Sequence, residues 1–300
     1  MLLAMAACPA ASFTQTASLA VSAKPAGAPA DLTPLLGSYA GEEKQVVEVF
    51  ENDGRLELKD GVNPVVPILK DSDDHLSVTG ELNGSQVQIP VQFVRSDDGQ
   101  GVREIIFGQA HLQRRVYDAD INKSFHVTPV RPLEDLRKEA LLASPPKEAH
   151  AFRKPDLVEL TTLDPTIHLD IRYATPNNFL GTPVYTQPRA FLQRPAAEAM
   201  IRAARDLKNY GYGLLVHDGY RPWYVTKIFW EATPTEGKIF VADPSQGSRH
   251  NRGCAVDLTL YDLQTGKPVE MPGTYDEMSP RSFPNYPGGT SLQRWSRDLL

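Results

Sequence analysis

Between Leu32 and about Arg115, apolar and polar positions alternate with a period of two. The runs are Val46–Phe50, Arg55–Leu58, His75–Leu82, Gln86–Phe93 and Arg103–Phe107. Alternation lays one face of a strand on a core and the other in water, so each run predicts a half-buried β-strand. Asn52-Asp53-Gly54, Asp60-Gly61, Asn83-Gly84 and Asp97-Asp98-Gly99 punctuate them, and such residues supply the positive φ of tight hairpins. Short strands joined in this way predict a small antiparallel barrel or sandwich over residues 32–130.

The period then changes. Residues 131–150 read as a helical linker, with Leu133, Leu136, Ala140 and Leu141 on one stripe and Pro145-Pro146 as a stop. From 151 to 300 the pattern is mixed. Leu157–Leu160, Ile167–Ile171, Leu214–Val216 and Cys254–Leu260 read as strands, and Pro195–Asn209 and Trp223–Ala232 as helices, the first stopped by Gly211. Without the regular alternation of a doubly wound sheet, the expected class is α+β.

Composition narrows the function. A net charge of −6, with no basic run, argues against nucleic acid or an anionic membrane surface as partner. The two cysteines, Cys8 and Cys254, lie in unlike contexts and do not suggest a disulfide framework. Residues 1–31 carry no charge before Lys24 and read as a signal-like leader with a flexible tether. Export to the periplasm or cell envelope is expected, with Met5-Ala6-Ala7-Cys8 as a weak lipoprotein site. No later stretch reaches the ~20 apolar residues of a membrane span.

Three clusters carry candidate chemistry. In Ser248–Thr259, His250 sits in a loop that Gly253 lets turn sharply, and Asp257 follows on an apolar strand, so imidazole and carboxylate can meet one cation. In His217-Asp218-Gly219-Tyr220-Arg221-Pro222, an Arg at a strand-to-helix corner either faces a cleft, as an oxyanion partner, or pairs with Asp218. In Asp170–Phe179 a strand end runs into a polar loop, which alone is turn chemistry. Cys254 beside the metal loop reads as a small packed thiol, with a redox or metal-scavenging role as the alternative.

Together and in this order, the clusters resemble the D-alanyl-D-alanine dipeptidases, the zinc metallopeptidases that include the dipeptidases of vancomycin resistance. The likeness rests on Arg172–Phe179, Asp218–Pro222, Ser248–Leu260 and the continuation from Tyr261 through Met271 to Tyr275-Asp276. It implies a small zinc-peptidase domain with a central antiparallel sheet flanked by helices, over 151–300. It also implies one Zn2+ with His250 and Asp257 as ligands, Arg221 at the oxyanion with Asp218 placing it, and Ser248, Asp276 and Tyr173 holding a small dipeptide. In the family a Glu-x-x-His supplies the general base and the third ligand. No histidine follows His250, so the domain reads as incomplete at its C-terminus; His217, His168, Glu270 and Glu277 are the candidate substitutes. Separately, Leu36–Tyr39 with Val49 and Gly54–Leu56 resembles lipocalin-like β-domains appended to some secreted hydrolases. A related D,D- or L,D-carboxypeptidase and a non-catalytic wall-binding protein are the alternatives.

Overall fold

The computed structural model describes residues 22–41, 45–71, 75–82, 85–99, 101–116, 125–147 and 153–300. The leader through residue 21, with Cys8, and the Asn83-Gly84 turn lie outside the described residues. The chain divides into two units, one of residues 1–116 with 279–299, the other centred on 117–278.

In the first unit the strands are β1 (Gly37–Ala40), β2 (Val46–Asn52), β3 (Arg55–Asp60), β4 (Val66–Pro67), β5 (Leu69–Lys70), β6 (Leu76–Leu82), β7 (Ser85–Arg95), β8 (Val102–Phe107) and β9 (Ala110–Arg114). They form one nine-stranded sheet in the order β4-β3-β2-β1-β9-β8-β7-β6-β5. Its two end strands are consecutive in sequence, which makes a nearly closed, barrel-like sheet. The β2–β3 hairpin shows why the register holds: Asn52 pairs with Arg55, and Asp53 (φ 46°) and Gly54 (φ 78°) both take positive φ, the turn whose twist matches the flanking strands. Tyr39, Val47, Val49, Leu58, Ile105 and Leu112 fill the interior.

Residues 279–299 have their contacts in this first unit. The reason lies in two buried carboxylates of β2. Glu51 accepts from the Ser291 amide at 2.7 Å and from the Gly54 amide at 2.6 Å. The Ser291 amide is the first of helix α5, Ser291–Leu299, so Glu51 answers a donor that the helix itself leaves open. Glu48 accepts from Ser38 Oγ at 2.6 Å and Tyr286 Oη at 2.9 Å, and burial holds its carboxyl above the usual range.

The second unit holds α1 (Leu133–Leu142), β10 (Leu157–Glu159), α2 (Leu160–Leu163), β11 (His168–Leu169), β12 (Phe191–Gln193), α3 (Arg194–Lys208), β13 (Tyr212–Asp218), α4 (Trp223–Ala232) and β14 (Asp257–Asp262). Its main sheet is three-stranded, β11-β13-β14. It is mixed rather than wholly antiparallel, because β11 runs parallel to β13 while β14 runs antiparallel to it. Helix α3 buries Ala197, Met200, Ala204 and Leu207 at helical spacing. Helix α1 is more than a linker, since Leu136 and Ala140 are fully buried in one cluster with Val225, Phe229 and Ala232 of α4.

Candidate active site

Every residue of β13 is buried, so the strand delivers His217 and Asp218 into the interior. The β13–β14 register shifts between Val216 and Asp218, and beyond the shift Asp218 pairs directly with Asp257. Such a bulge re-aims side chains at a strand end, here setting two carboxylates opposite each other. The next residue, Gly219, passes so close to β12 that a Cβ would stand 2.7 Å from the Phe191 carbonyl oxygen.

The loop carrying His250 is tied to this corner. Arg221 N donates to the His250 carbonyl at 3.1 Å, and Gly253 (φ 66°) turns the chain toward β14. His250 Nδ1 lies 2.9 Å from the Gly219 carbonyl oxygen. A carbonyl only accepts, so Nδ1 carries the hydrogen and the lone pair is left on Nε2. That Nε2 stands 3.4 Å from Asp257 Oδ1. Burial opposes charging of the imidazole, but its contact with Asp257 outweighs burial and raises the pKa; burial likewise opposes ionisation of Asp257, whose pKa His250 and Arg221 pull down.

Arg221 is buried, its guanidinium 5.3 Å from the Tyr173 ring centre and 4.9 Å from that of Phe229. Its Nε donates to Asp218 Oδ2 at 2.8 Å and its Nη2 to Asp257 Oδ2 at 3.1 Å. The pairing with Asp218 is thus present, and the same guanidinium also reaches Asp257. Among the described residues one trio of metal-ligating side chains converges, Asp218, His250 and Asp257, with ligand atoms within 4.8 Å of one another. Asp218 differs from the other two. Tyr185 Oη at 2.8 Å and Gly219 N at 2.9 Å occupy its Oδ1, and Arg221 occupies its Oδ2. An oxygen pair holding three donors suits a positioning role, whereas His250 Nε2 and Asp257 Oδ1 are the pair that fits a metal.

Of the residues that the resemblance assigns to the dipeptide, Tyr173 and Asp276 meet, Tyr173 Oη donating to Asp276 Oδ1 at 2.9 Å. Asp276 is half-buried with its Oδ2 enclosed, and burial followed by the Asp257 charge pushes its carboxyl up to about 7. Its Oδ2 has no hydrogen-bond partner among the described residues, a state that costs ~1–3 kcal/mol in a buried group. Ser248 is bonded instead to Asn251, accepting from its amide at 3.2 Å and donating its own to Oδ1 at 2.9 Å. No bond joins Ser248 to Asp276 among the described residues.

None of the substitute ligands enters the converging trio. His217 turns Nδ1 to the Asp170 carbonyl at 3.1 Å, His168 stacks on Tyr261 at 4.0 Å, Glu270 is exposed, and Glu277 bonds Thr274 N. Cys254 is exposed rather than packed, because the left-handed Gly253 swings the chain outward.

A sequence profile described as D-ala-D-ala dipeptidase, of the peptidase M15 family, matches residues 153–299. The D-alanyl-D-alanine dipeptidase of Escherichia coli K12 is 32% identical over a stretch covering 48% of this chain and 74% of its own length. The chain belongs to the D-alanyl-D-alanine dipeptidase family. The enzymes of the same name from Enterococcus faecium and Enterococcus faecalis V583 are each 36% identical, over 72% and 79% of their lengths. This is a family of metallopeptidases, and the match covers all three chemical clusters.

Two residues that hold this dipeptidase site together escaped the sequence reading. Tyr185 supplies the Asp218 bond, yet it stands 33 positions away in a loop with no motif. Asn251 donates to the Arg221 carbonyl at 2.9 Å and to Thr226 Oγ1 at 2.8 Å, stitching the His loop to the arginine corner. Its place inside the Ser248–Leu260 motif was the one available signal.

Proposed function

We propose that this protein is a zinc-dependent hydrolase of D-Ala-D-Ala, acting in cell-wall peptide metabolism. The observation that carries the reading is the 3.4 Å approach of His250 Nε2 to Asp257 Oδ1, with the imidazole tautomer fixed by the Gly219 carbonyl. A nitrogen and an oxygen ligand so placed suit zinc, which supplies Lewis acidity and an activated water at the peptide carbonyl. Arg221, held by Asp218 and Asp257, presents a guanidinium that stabilises the developing oxyanion. Tyr185 keeps Asp218 in place, and through it Arg221. Asp276, oriented by Tyr173, pairs with the free ammonium of the dipeptide, with Ser248 as a further contact. A longer peptide brings no charge to that carboxylate and is disfavoured. Export to the cell envelope accompanies this reading and rests on the uncharged leader alone.

The test is zinc content measured together with D-Ala-D-Ala hydrolysis, in this chain and in His250→Ala. Zinc held by His250 and Asp257 is expected to be lost in the variant, and turnover, where a third ligand and a general base complete the site, is lost with it. Turnover that survives the loss of His250 would remove the metal site from the mechanism.

A further inference from the structure

Beside Asp276 lies a polar atom to which the dipeptidase chemistry above gives no role. Thr274–Glu277 forms a turn in which the Glu277 amide donates to the Thr274 carbonyl at 3.3 Å. The buried Glu277 carboxylate closes the turn by accepting from Thr274 N at 3.0 Å and Oγ1 at 3.3 Å. Tyr275 and Asp276 occupy its two central positions. Asp276 has φ 59°, a conformation that glycine adopts more easily at this point of a turn. The position thus carries a carboxylate in a left-handed conformation that few side chains besides Asn and Asp adopt.

The Tyr275 ring is well packed, 4.6 Å from the His217 ring and 5.7 Å from that of Tyr173, with the Arg172 guanidinium at 5.7 Å. A phenylalanine would make those contacts equally. The hydroxyl adds only an oxygen that is buried without a partner among the described residues, as is Asp276 Oδ2. After burial, the Asp276 charge is the leading influence raising the phenol pKa well above its usual range, so the hydroxyl lies within electrostatic reach of that carboxylate. Two unpaired oxygens on consecutive residues at the centre of one turn are explained by a ligand group that donates to both.

We infer that the Tyr275 hydroxyl is a further specificity-determining contact, accepting a hydrogen bond from the substrate ammonium whose charge Asp276 pairs; this rests on the dipeptidase reading above. An ammonium offers several N–H donors to one small volume, enough for Asp276 Oδ2 and Tyr275 Oη together. An acylated amine has one N–H and no charge, and leaves at least one of these oxygens unpaired.

Tyr275→Phe deletes the hydroxyl and keeps the ring. In the metal-free full chain, titration calorimetry with D-Ala-D-Ala and with N-acetyl-D-Ala-D-Ala reads the contact without turnover. The wild type is expected to prefer the free amine, and Tyr275→Phe to weaken D-Ala-D-Ala about tenfold while moving the acetylated ligand by less than about twofold. A purely structural role moves both ligands together and leaves their ratio intact. That unchanged ratio overturns the contact and leaves the dipeptidase reading standing. A wild-type chain that binds both ligands equally overturns the reading and the contact with it.

Discussion

Each unit buries carboxylates, and they are kept in opposite ways. In the barrel-like unit, Glu51 receives hydrogen bonds from two backbone amides, Gly54 and Ser291, so its charge is answered by the fold itself. In the dipeptidase unit, Asp276 is half-buried, yet one oxygen is held by Tyr173 and the other, itself enclosed, has no partner among the described residues. A carboxylate whose partners are backbone amides is part of the architecture. One left half-satisfied at the cost of stability asks for an explanation, and the proposed dipeptide ammonium supplies it for Asp276. Arg221 and Asp257 belong with Asp276 in this contrast: their charges are spent on side chains that converge on one point rather than on the backbone.

The largest effect is expected where that convergence is cut. Arg221→Lys keeps the charge but loses the planar fork that spans Asp218 and Asp257, and a fall in kcat of about 10²–10³ follows. Steady-state kinetics with D-Ala-D-Ala reads it, and an unchanged kcat means that the arginine is only a packing element. Glu51→Ala comes next, leaving the Ser291 and Gly54 amides without their acceptor. A loss of about 2–3 kcal/mol in urea unfolding is expected; a neutral result would show that the backbone amides find other partners and that the contrast with Asp276 is false.

The smallest effect sharpens the contrast by its sign. The Asp276 carboxyl titrates at about 7 in the fold, above its unfolded value of about 3.9. The folded state therefore holds the proton more tightly. The stability this confers is fully present below the unfolded value and is lost as pH rises through about 7. Burial and the charges of Asp257 and Asp218 produce this direction, against the Tyr173 hydroxyl and Arg221. In the metal-free chain, Asp276→Asn is expected to flatten that pH slope and to gain on the order of 1 kcal/mol above pH ~7, while losing preference for free-amine dipeptides. A destabilised Asp276→Asn chain would place Asp276 with Glu51, as an architectural residue.

Much of this was legible in the residues alone. Alternating runs with Asn-Asp-Gly turns specified the hairpins, because strand period and positive-φ chemistry are local; the β2–β3 loop at Asp53-Gly54 is the clearest instance. Helix α4, Trp223–Ala232, has the bounds that its apolar pattern predicts. The candidate metal pair and the arginine corner were also within reach, since each lies in a short motif whose spacing reflects one loop or one strand end. Other features depended on long-range packing. The bulge that faces Asp218 with Asp257, the Tyr185 hydrogen bond from 33 residues away, and the parallel pairing of β11 have no local signature. The same holds for α5, whose apolar and polar pattern announces a helix but not its acceptor. Only the folded chain brings Glu51 of β2 to Ser291, some 240 residues along. Sequence determines which groups are available and which local shapes they favour; tertiary structure decides which buried polar atoms find a partner and which do not.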